Sequence, residues 1–420
     1  MMNTYASAGT ADITPESAVP LAGSEIRTGV FHGVADRLEA NALVLRQDGP
    51  PIVFVTIDSL FVGQELRSGV LARLGAAVPD ESLFFAASHT HFAPATDDRR
   101  PRLGRMDPRY LEQVCERVTG LVSRLLGGPV VPVTIEYVQG QANHAINRRL
   151  RALWHLSRSG PRVGAIVGAP NPVGPRDESI HLLRVSRPDG RPLAVIWSYA
   201  CHPVSFPRPL EVTAEYPGRV RRRLRDDLGP DLPVLFWQGF AGDVRPPELD
   251  LSTSLPSRAK RFLLGPRFGR FSGAEWESWA DSLATRVANT ASAPAARPLT
   301  GPIGTHRITR SLDNFVLGIS DERQVAFHRV RLGSELTVVG VSAEVVTEYR
   351  ALVDSTFHGS INIPVGYIDE VYGYMPTARM LHEGGYEASW FLRPFALEGP
   401  LNPRIEDSCL SALRELAVES

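Results

Sequence analysis

The sequence contains almost no lysine, although it is rich in arginine. Lys260 is the only lysine among 45 basic residues. A lysine that forms a Schiff base, or the lysine of a phosphate-binding P-loop, would therefore have to be Lys260. Its neighbours, Ser-Arg-Ala before it and Arg-Phe after it, suit neither role. Lysine-based covalent catalysis and P-loop nucleotide chemistry are excluded on this ground.

Cysteine is also scarce, and long apolar runs are missing. The three cysteines, Cys115, Cys201 and Cys409, are far apart and form no Cys-x-x-Cys motif. A disulfide framework and a cysteine-rich zinc site are thereby excluded, and a reducing compartment is favoured. The first residues carry neither the basic nor the apolar part of a signal peptide, and no apolar run reaches the ~18 residues of a membrane span. We expect a cytoplasmic protein that does not cross a membrane.

An excess of positive charge is absent as well. The net charge is −1, which gives no support to binding of nucleic acids. Of the 420 residues 43% are apolar and 22% are charged, as in ordinary globular proteins with a large core. No linker divides the chain and no repeat is evident. We expect one catalytic domain over residues 1–420, with the basic segment 251–271 as a surface insertion.

Apolar periodicity predicts an α/β fold with mixed β-sheets flanked by helices. Buried strands are predicted where short apolar, β-branched runs end in polar residues; these are residues 52–57, 83–87, 129–138, 180–185, 193–199 and 234–237. Helical spacing marks residues 61–76, 109–126, 216–228, 274–287 and 345–356. Runs near 304–318, 325–331 and 335–341 indicate an antiparallel sheet. Residues 159–177 are predicted as a loop or hairpin, and 362–400 as ordered loop.

Several common catalytic motifs are missing. The chain has no G-x-S-x-G, H-E-x-x-H, G-x-G-x-x-G or G-x-x-x-x-G-K-[ST] sequence. These absences argue against an α/β-hydrolase, a zincin and a nucleotide-dependent enzyme.

Polar clusters instead follow three of the predicted strands. They are Ser-His-Thr-His at residues 88–91, Cys-His-Pro at 201–203 and Gly-Asp-Val-Arg at 242–245. His89 and His91 point to one side of an extended segment, so both could reach a metal ion or one could act on substrate. Each cluster alone is equally compatible with a structural role. Three clusters at strand ends together favour a functional site.

The order of these and other short motifs resembles one known family. The sequence carries AGTADITP at residues 8–15, PLAG at 20–23 and S-H-T-H-x-x-P at 88–94, and later Asn147-Arg148, Asp177, His202-Pro203, Gly242-Asp243-Val244, Ala343-Glu344, Tyr372-x-Tyr374-x-x-Thr377 and Tyr386-Glu387. In this order they resemble the N-terminal catalytic domain of the neutral/alkaline non-lysosomal ceramidases. The resemblance runs from residue 8 to about residue 390. The C-terminal immunoglobulin-like domain of that family is not expected in a chain of this length.

The resemblance implies a zinc ion held by two histidines, a glutamate and a tyrosine. Transferred to this sequence, the ligands are His89, His202, Glu344 and Tyr374, with Tyr372 as the alternative tyrosine. His91, Arg148 and Tyr386 would orient the substrate and stabilise the oxyanion. Without the resemblance, Glu344 would be interpreted as a helix cap and the tyrosines as an aromatic cluster.

One position departs from the family pattern. The family has a catalytic serine after Gly-Asp-Val, and here that residue is Arg245. A guanidinium cannot form an acyl intermediate, so chemistry through a zinc-activated water is favoured. Arg245 and Arg148 could together bind an anionic group of the substrate, or Arg245 could pair with a nearby acid such as Asp243.

The sequence therefore predicts a zinc-dependent amidohydrolase that is similar to ceramidases. Its expected substrate is a small, soluble molecule with a linear amide bond, with or without an anionic group, rather than long-chain ceramide. Two alternatives remain open. One is an enzyme of a biosynthetic pathway that forms an amide or ester by acyl transfer or cyclisation. The other is a non-catalytic relative that binds a small anion.

Overall fold

Two β-sheets packed face to face form the centre of the computed structural model, which describes residues 3–157, 160–294, 296–319 and 322–418. The large sheet has eight strands in a continuous path and a short ninth strand beside it. In spatial order the path is Val234–Gln238, Pro192–Tyr199, Ser179–Ser186, Val131–Gln141, Thr4–Asp12, Glu39–Arg46, Ile52–Ile57 and Leu83–Ala87, and Arg297–Pro298 pairs with Val131–Gln141. Both end pairs of the path are parallel and the inner pairs are antiparallel.

The second sheet has four strands, which are Ile303–Ser311, Gln324–Leu332, Leu336–Val341 and Ile361–Val365. The first three are antiparallel neighbours and the last pair is parallel. Smaller pairings join Ile146–Arg151 to Ile166–Asn171 and Val244–Arg245, Gly33–Val34 to Glu211–Val212, Glu344–Val345 to Tyr374–Met375, and Trp154–Ser157 to Gly160–Val163.

Helices cover the outer face of each sheet. Gln64–Leu74, Pro108–Gly127, Glu215–Leu228 and Gly273–Ala291 pack on the large sheet, and Tyr349–Thr356 and Ile405–Val418 pack on the second sheet. Two further helices are Leu255–Leu264 and Ala378–Glu383. The predicted fold class, mixed β-sheets flanked by helices in a single α/β domain, is confirmed.

The strand Ile52–Ile57 shows why its sequence is apolar without interruption. Val53 and Val55 pack against the helices, whereas Phe54 lies between the two sheets. Successive side chains point to opposite faces of a strand, and here both faces are buried. A continuous β-branched run is therefore what this position requires.

The large sheet curls so that its two outermost strands approach each other. The ring of Trp237, on one end strand, lies 5.4 Å from the ring of Phe54 and 5.6 Å from that of Phe84 on the other side. Residues that follow distant strands in the sheet order are thereby brought together.

Some elements differ from the prediction. The strand Thr4–Asp12 and the helix Ile405–Val418 were not predicted, and the predicted helix over 345–356 begins only at Tyr349. Of the predicted loop or hairpin at 159–177, residue 159 lies outside the described residues, and the rest contains Gly160–Val163 and Ile166–Asn171. Gly160–Val163 forms a hairpin with Trp154–Ser157, as one of the two predicted options, whereas Ile166–Asn171 pairs with Ile146–Arg151, a pairing that periodicity does not reveal.

None of the helices that the structure describes combines the length and the apolar character that crossing a bilayer requires. Cys115, Cys201 and Cys409 are all buried and carry free thiols.

A buried ion-pair network beside the sheets makes a testable contribution to stability. Asp369 is buried and contacts Arg67 at 2.7 Å and Arg307 at 3.1 Å. Asp80 pairs with the same two arginines, but its side chain is 53% exposed. We expect Asp369→Asn to lower the free energy of unfolding by about 2–3 kcal/mol, because Arg67 and Arg307 then keep only the half-exposed Asp80 as a partner. Asp80→Asn should cost less than about 1 kcal/mol.

Denaturant unfolding of the two variants measures this difference. Burial alone would raise the pKa of Asp369, but Arg67 and Arg307 hold it below its ordinary value. The stabilisation is thus present above the unfolded pKa near about 4 and is lost as the pH falls further. Equal losses in the two variants would contradict the assignment of the buried charge to Asp369.

Candidate metal centre

Three histidines meet where strands from the two ends of the large sheet finish. His89 and His91 follow Leu83–Ala87, and His202 follows Pro192–Tyr199. The ring centroid of His89 lies 4.9 Å from that of His91 and 4.8 Å from that of His202. One ring nitrogen from each residue lies within 4.8 Å of the other two. The curl of the sheet therefore assembles the two predicted histidine clusters into one site.

A segment from the second sheet fixes this arrangement. The backbone N–H of Gly366 donates to the carbonyl of Gln238 at 2.9 Å, and the N–H of Ala87 donates to the carbonyl of Tyr367 at 3.1 Å. This segment thus ties the two outermost strands of the large sheet to each other. The backbone next to the histidines is thus fixed by hydrogen bonds to both of these strands.

All three imidazoles are oriented by backbone carbonyl groups. The Nδ1 partners are Leu60 O at 2.9 Å for His89, Gly23 O at 2.8 Å for His91 and Ala241 O at 2.6 Å for His202. A carbonyl oxygen can only accept, so each Nδ1 carries the hydrogen and each neutral ring keeps a lone pair on Nε2. Metal-binding histidines are commonly held in this way by the ring nitrogen that does not bind the metal.

The carboxylate of Glu344 completes the cluster. Its Oε2 lies 3.1 Å from Nε2 of His202 and 3.4 Å from Nε2 of His89, and the side chain is 2% exposed. Burial lowers the pKa of His202 to about 4, so its ring is neutral at neutral pH. The carboxylate and the neutral ring thus face each other.

This donor set fits a divalent cation. A buried carboxylate oxygen that faces imidazole lone pairs is unfavourable unless a positive charge lies between them. Nitrogen and oxygen ligands of this kind are typical of catalytic zinc sites. The residues His89, His202 and Glu344 are therefore able to hold zinc together.

Of the two candidate tyrosines, Tyr374 lies beside this cluster. Its backbone pairs with that of Glu344 in the parallel pair Glu344–Val345 and Tyr374–Met375. The hydroxyl accepts a hydrogen bond from Arg148 at 3.1 Å. Tyr372 instead packs on Phe315, with ring centroids 5.7 Å apart, inside the core of the second sheet. Of the two tyrosines, Tyr374 is thus the one that lies beside Glu344 and Arg148.

Arg148 lies against the rings of Tyr374 and Tyr386 and is held there by hydrogen bonds. Its Nε donates to the carboxylate of Glu387 at 2.8 Å, and its Nη2 donates to the carbonyl of Gly242 at 2.8 Å as well as to Tyr374. The guanidinium lies 5.5 Å from the ring centroid of Tyr374 and 5.6 Å from that of Tyr386. Burial raises the pKa of Tyr386 to about 12, so its hydroxyl remains a hydrogen-bond donor at neutral pH.

Arg245 and Arg148 line different cavities. Arg245 forms an ion pair with Glu248, not with Asp243, and lies 4.6 Å from the ring centroid of Phe268. Arg245 lines a cavity of about 550 Å³, whereas Arg148 lines a separate cavity of about 290 Å³. Each guanidinium has its own carboxylate partner, which is Glu387 for Arg148 and Glu248 for Arg245, and the contact of both arginines with one anion stays a prediction.

The Gly-Asp-Val motif has a structural role. The buried carboxylate of Asp243 accepts hydrogen bonds from the backbone and hydroxyl of Thr347 and from Asn147, each at 2.8 Å. A Cβ on Gly242 would lie 2.7 Å from the carbonyl oxygen of Glu344. Only glycine allows the turn to approach the strand of Glu344 this closely.

Sequence analysis missed Tyr367. Its ring lies 4.1 Å from that of His89 and it adopts a φ of 59°, while His89 has a φ of 64°. Such backbone conformations are costly for residues other than glycine and are found at functional sites. No local pattern marks Tyr367, since its segment was predicted only as loop.

Comparisons with known proteins support the fold. No model of a known protein family matches the sequence, and no curated protein matches it. Several solved structures match the chain, and the following two do so over 100% of its length. The neutral ceramidase of Pseudomonas aeruginosa does so with a TM-score of 0.76, 16% identity and 74% of its own chain covered. A ceramidase complexed with C2 has a TM-score of 0.77, 15% identity and 75% of its chain covered. The protein thus has the fold of the neutral ceramidase catalytic region.

Proposed function

We propose that this protein is a zinc-dependent hydrolase that cleaves the linear amide bond of a small molecule. The observation that carries the proposal is the convergence of His89, His91 and His202 with the Glu344 carboxylate, each imidazole being oriented by a carbonyl group. The likeness of the fold to that of the ceramidases supports it. His89, His202, Glu344 and Tyr374 are the proposed zinc ligands.

When bound there, zinc supplies Lewis-acid chemistry, which lowers the pKa of a water molecule and polarises a carbonyl group. His91 is the one partly exposed imidazole of the three. Its Nδ1 hydrogen is used by Gly23, so the neutral ring can only accept at Nε2. We assign His91 to accept a hydrogen bond from the attacking water or from the amide N–H.

Arg148 and Tyr386 are placed to stabilise the negative charge that develops on the carbonyl oxygen. Their side chains line the same cavity of about 290 Å³, together with Trp390. Within the described residues, Arg148 uses Nε and Nη2 for its hydrogen bonds, which leaves the two hydrogens of Nη1 for a substrate. Preorganised donors of this kind supply a large share of catalysis in acyl hydrolysis.

A pair of inhibitors tests the proposal. Arg245 occupies the position where the resembling family has a catalytic serine, so no serine acyl intermediate is expected. A chelator should remove hydrolysis of short N-acyl amides, and added Zn²⁺ should restore it. A serine-directed phosphonate should leave the rate unchanged. Zinc content is measured in the same samples.

Two outcomes would contradict this mechanism. One is a covalent serine adduct that forms in step with the loss of activity. The other is a protein that holds no zinc after dialysis against zinc-containing buffer, which would favour the non-catalytic alternative.

A further inference from the structure

A second cavity lies next to the candidate metal centre and is not used by the proposed hydrolysis. It has a volume of about 550 Å³. Phe92, which follows His91, and Phe206, which lies shortly after His202, form part of its wall. Arg245 lines it as well and follows Val244, whose carbonyl accepts a hydrogen bond from His202. The wall is thus continuous along the chain with the residues of the centre.

Arg27 is the unusual residue of this cavity. Its Nη1 donates to the carbonyl oxygens of Ala22 at 2.8 Å and His91 at 2.6 Å, and the guanidinium lies 5.2 Å from the ring centroid of Phe92. Among the residues that the structure describes, no carboxylate pairs with it. The hydrogens of Nε and Nη2 therefore remain for a ligand, on a side chain that is already fixed in position.

The other charges of the cavity do not neutralise Arg27. Arg245 and Arg270 add two positive charges, and Glu248 adds one negative charge. Both oxygens of Glu248 are in use, because one pairs with Arg245 and the other accepts from the backbone of Phe271 at 3.3 Å. The cavity therefore keeps an excess of positive charge. Arg148 differs from Arg27 in this respect, since Glu387 pairs with it.

Aromatic rings supply the remaining character of the wall. Phe92, Phe206 and Phe271 all line the cavity. Aromatic rings beside an unpaired guanidinium suit a ligand that combines an acidic group with a short apolar part. The acidic group would bind the guanidinium, and the apolar part would pack on the rings.

We propose that this cavity binds an anionic group of the amide substrate, such as a carboxylate, and that Arg27 is the residue that recognises it. The inference rests on the proposed amide hydrolysis and specifies its substrate class as N-acyl compounds that carry an acid near the amide. It also replaces the expected pairing of Arg148 with Arg245 by one of Arg27 with Arg245.

Binding of inorganic phosphate to zinc-free protein tests the site without any catalysis. Calorimetry should show saturable binding to the wild type and at least about tenfold weaker binding to Arg27→Gln, since charge-assisted hydrogen bonds are lost. Arg208→Gln is the matched control. Arg208 stacks on Phe206 at 4.5 Å and pairs with Glu211, but it does not line the cavity, so binding should be unchanged.

A second variant is needed because Arg27 also holds two backbone carbonyls. Arg270 is exposed, so Arg270→Glu should fold normally and still weaken phosphate binding about fivefold or more by charge reversal. No saturation in the wild type up to about 10 mM phosphate would overturn the proposal. Unchanged affinity in folded Arg27→Gln, or in Arg270→Glu, would overturn it as well.

Kinetics then connect the site to the substrate. With zinc-loaded enzyme, Arg27→Gln should lower the ratio of kcat/KM for a short N-acylglycine to kcat/KM for the corresponding uncharged N-acylglycine amide by about tenfold or more. Equal losses for both substrates would refute the role of Arg27 while leaving amide hydrolysis intact. Phosphate binding that depends on Arg27, without hydrolysis of any amide, would instead refute the proposed function alone.

Discussion

The variant His202→Ala is expected to lose zinc and to lower hydrolysis of N-acyl amides by at least about a thousandfold. His202 contributes one of the imidazoles that meet the Glu344 carboxylate, at a distance of 3.1 Å. Its removal takes one imidazole ligand from the proposed zinc site and leaves the buried Glu344 carboxylate without that neighbour. A catalytic metal contributes several kcal/mol to transition-state stabilisation, and each 1.36 kcal/mol is about a factor of ten. Metal analysis after dialysis and steady-state kinetics measure the two effects.

His144→Ala is the matched control for this loss. His144 is another histidine of the chain, which contacts Ser282 at 3.1 Å near the surface and lies outside the centre. It should keep its zinc and its activity. Circular dichroism must show that His202→Ala is folded. A folded His202→Ala that retains full zinc occupancy would mean that the ligands have been assigned incorrectly, whatever its activity.

The histidines of the site could be predicted because they follow strands that are apolar without interruption. Leu83–Ala87 and Pro192–Tyr199 are buried on both faces, so their sequences mark them clearly. Each of these strands is followed by a polar cluster. If the strands belong to one sheet, the two clusters are expected to meet. The curl that brings His89 next to His202 depends on contacts such as that of Trp237 with Phe54, which no local pattern contains.

Glu344 shows where reasoning from local sequence fails. Its position before a predicted helix favours a capping role, but the helix begins at Tyr349. Glu344 instead pairs with Tyr374 in a short buried strand. Only the resemblance to ceramidases indicated its place in the site, because a pairing thirty residues apart has no periodic signature.

Gly23 explains a motif whose purpose the sequence did not reveal. It ends the Pro-Leu-Ala-Gly segment, has a φ of 98°, and a Cβ there would lie 2.5 Å from Nδ1 of His91. A side chain at this position would displace the imidazole that Gly23 orients through its carbonyl. Arg27, four residues later, could not be recognised in the same way, since its partners are carbonyls brought close by folding.

Arg148 and Arg149 allow a direct test of the proposed oxyanion donor. Both pair with Glu387, Arg148 at 2.8 Å and Arg149 at 2.7 Å. Only Arg148 also reaches Tyr374, at 3.1 Å, and lies against Tyr386. Arg149 instead donates to the carbonyl of Gly384 at 2.9 Å. The two side chains thus share an ion-pair partner, but only Arg148 lines the cavity of about 290 Å³.

Arg148→Lys is expected to lower kcat by about a hundredfold with little change in KM, because an ammonium group cannot keep these contacts and also donate to the substrate. Arg149→Lys should lower the melting temperature but leave kcat within about twofold, since it removes only structural contacts. Zinc content should equal that of the wild type in both variants, which separates a lost donor from a disturbed Tyr374. Equal losses of kcat in the two variants would show that Arg148 acts only through Glu387 and the local fold. An unchanged kcat in Arg148→Lys would remove it from the mechanism.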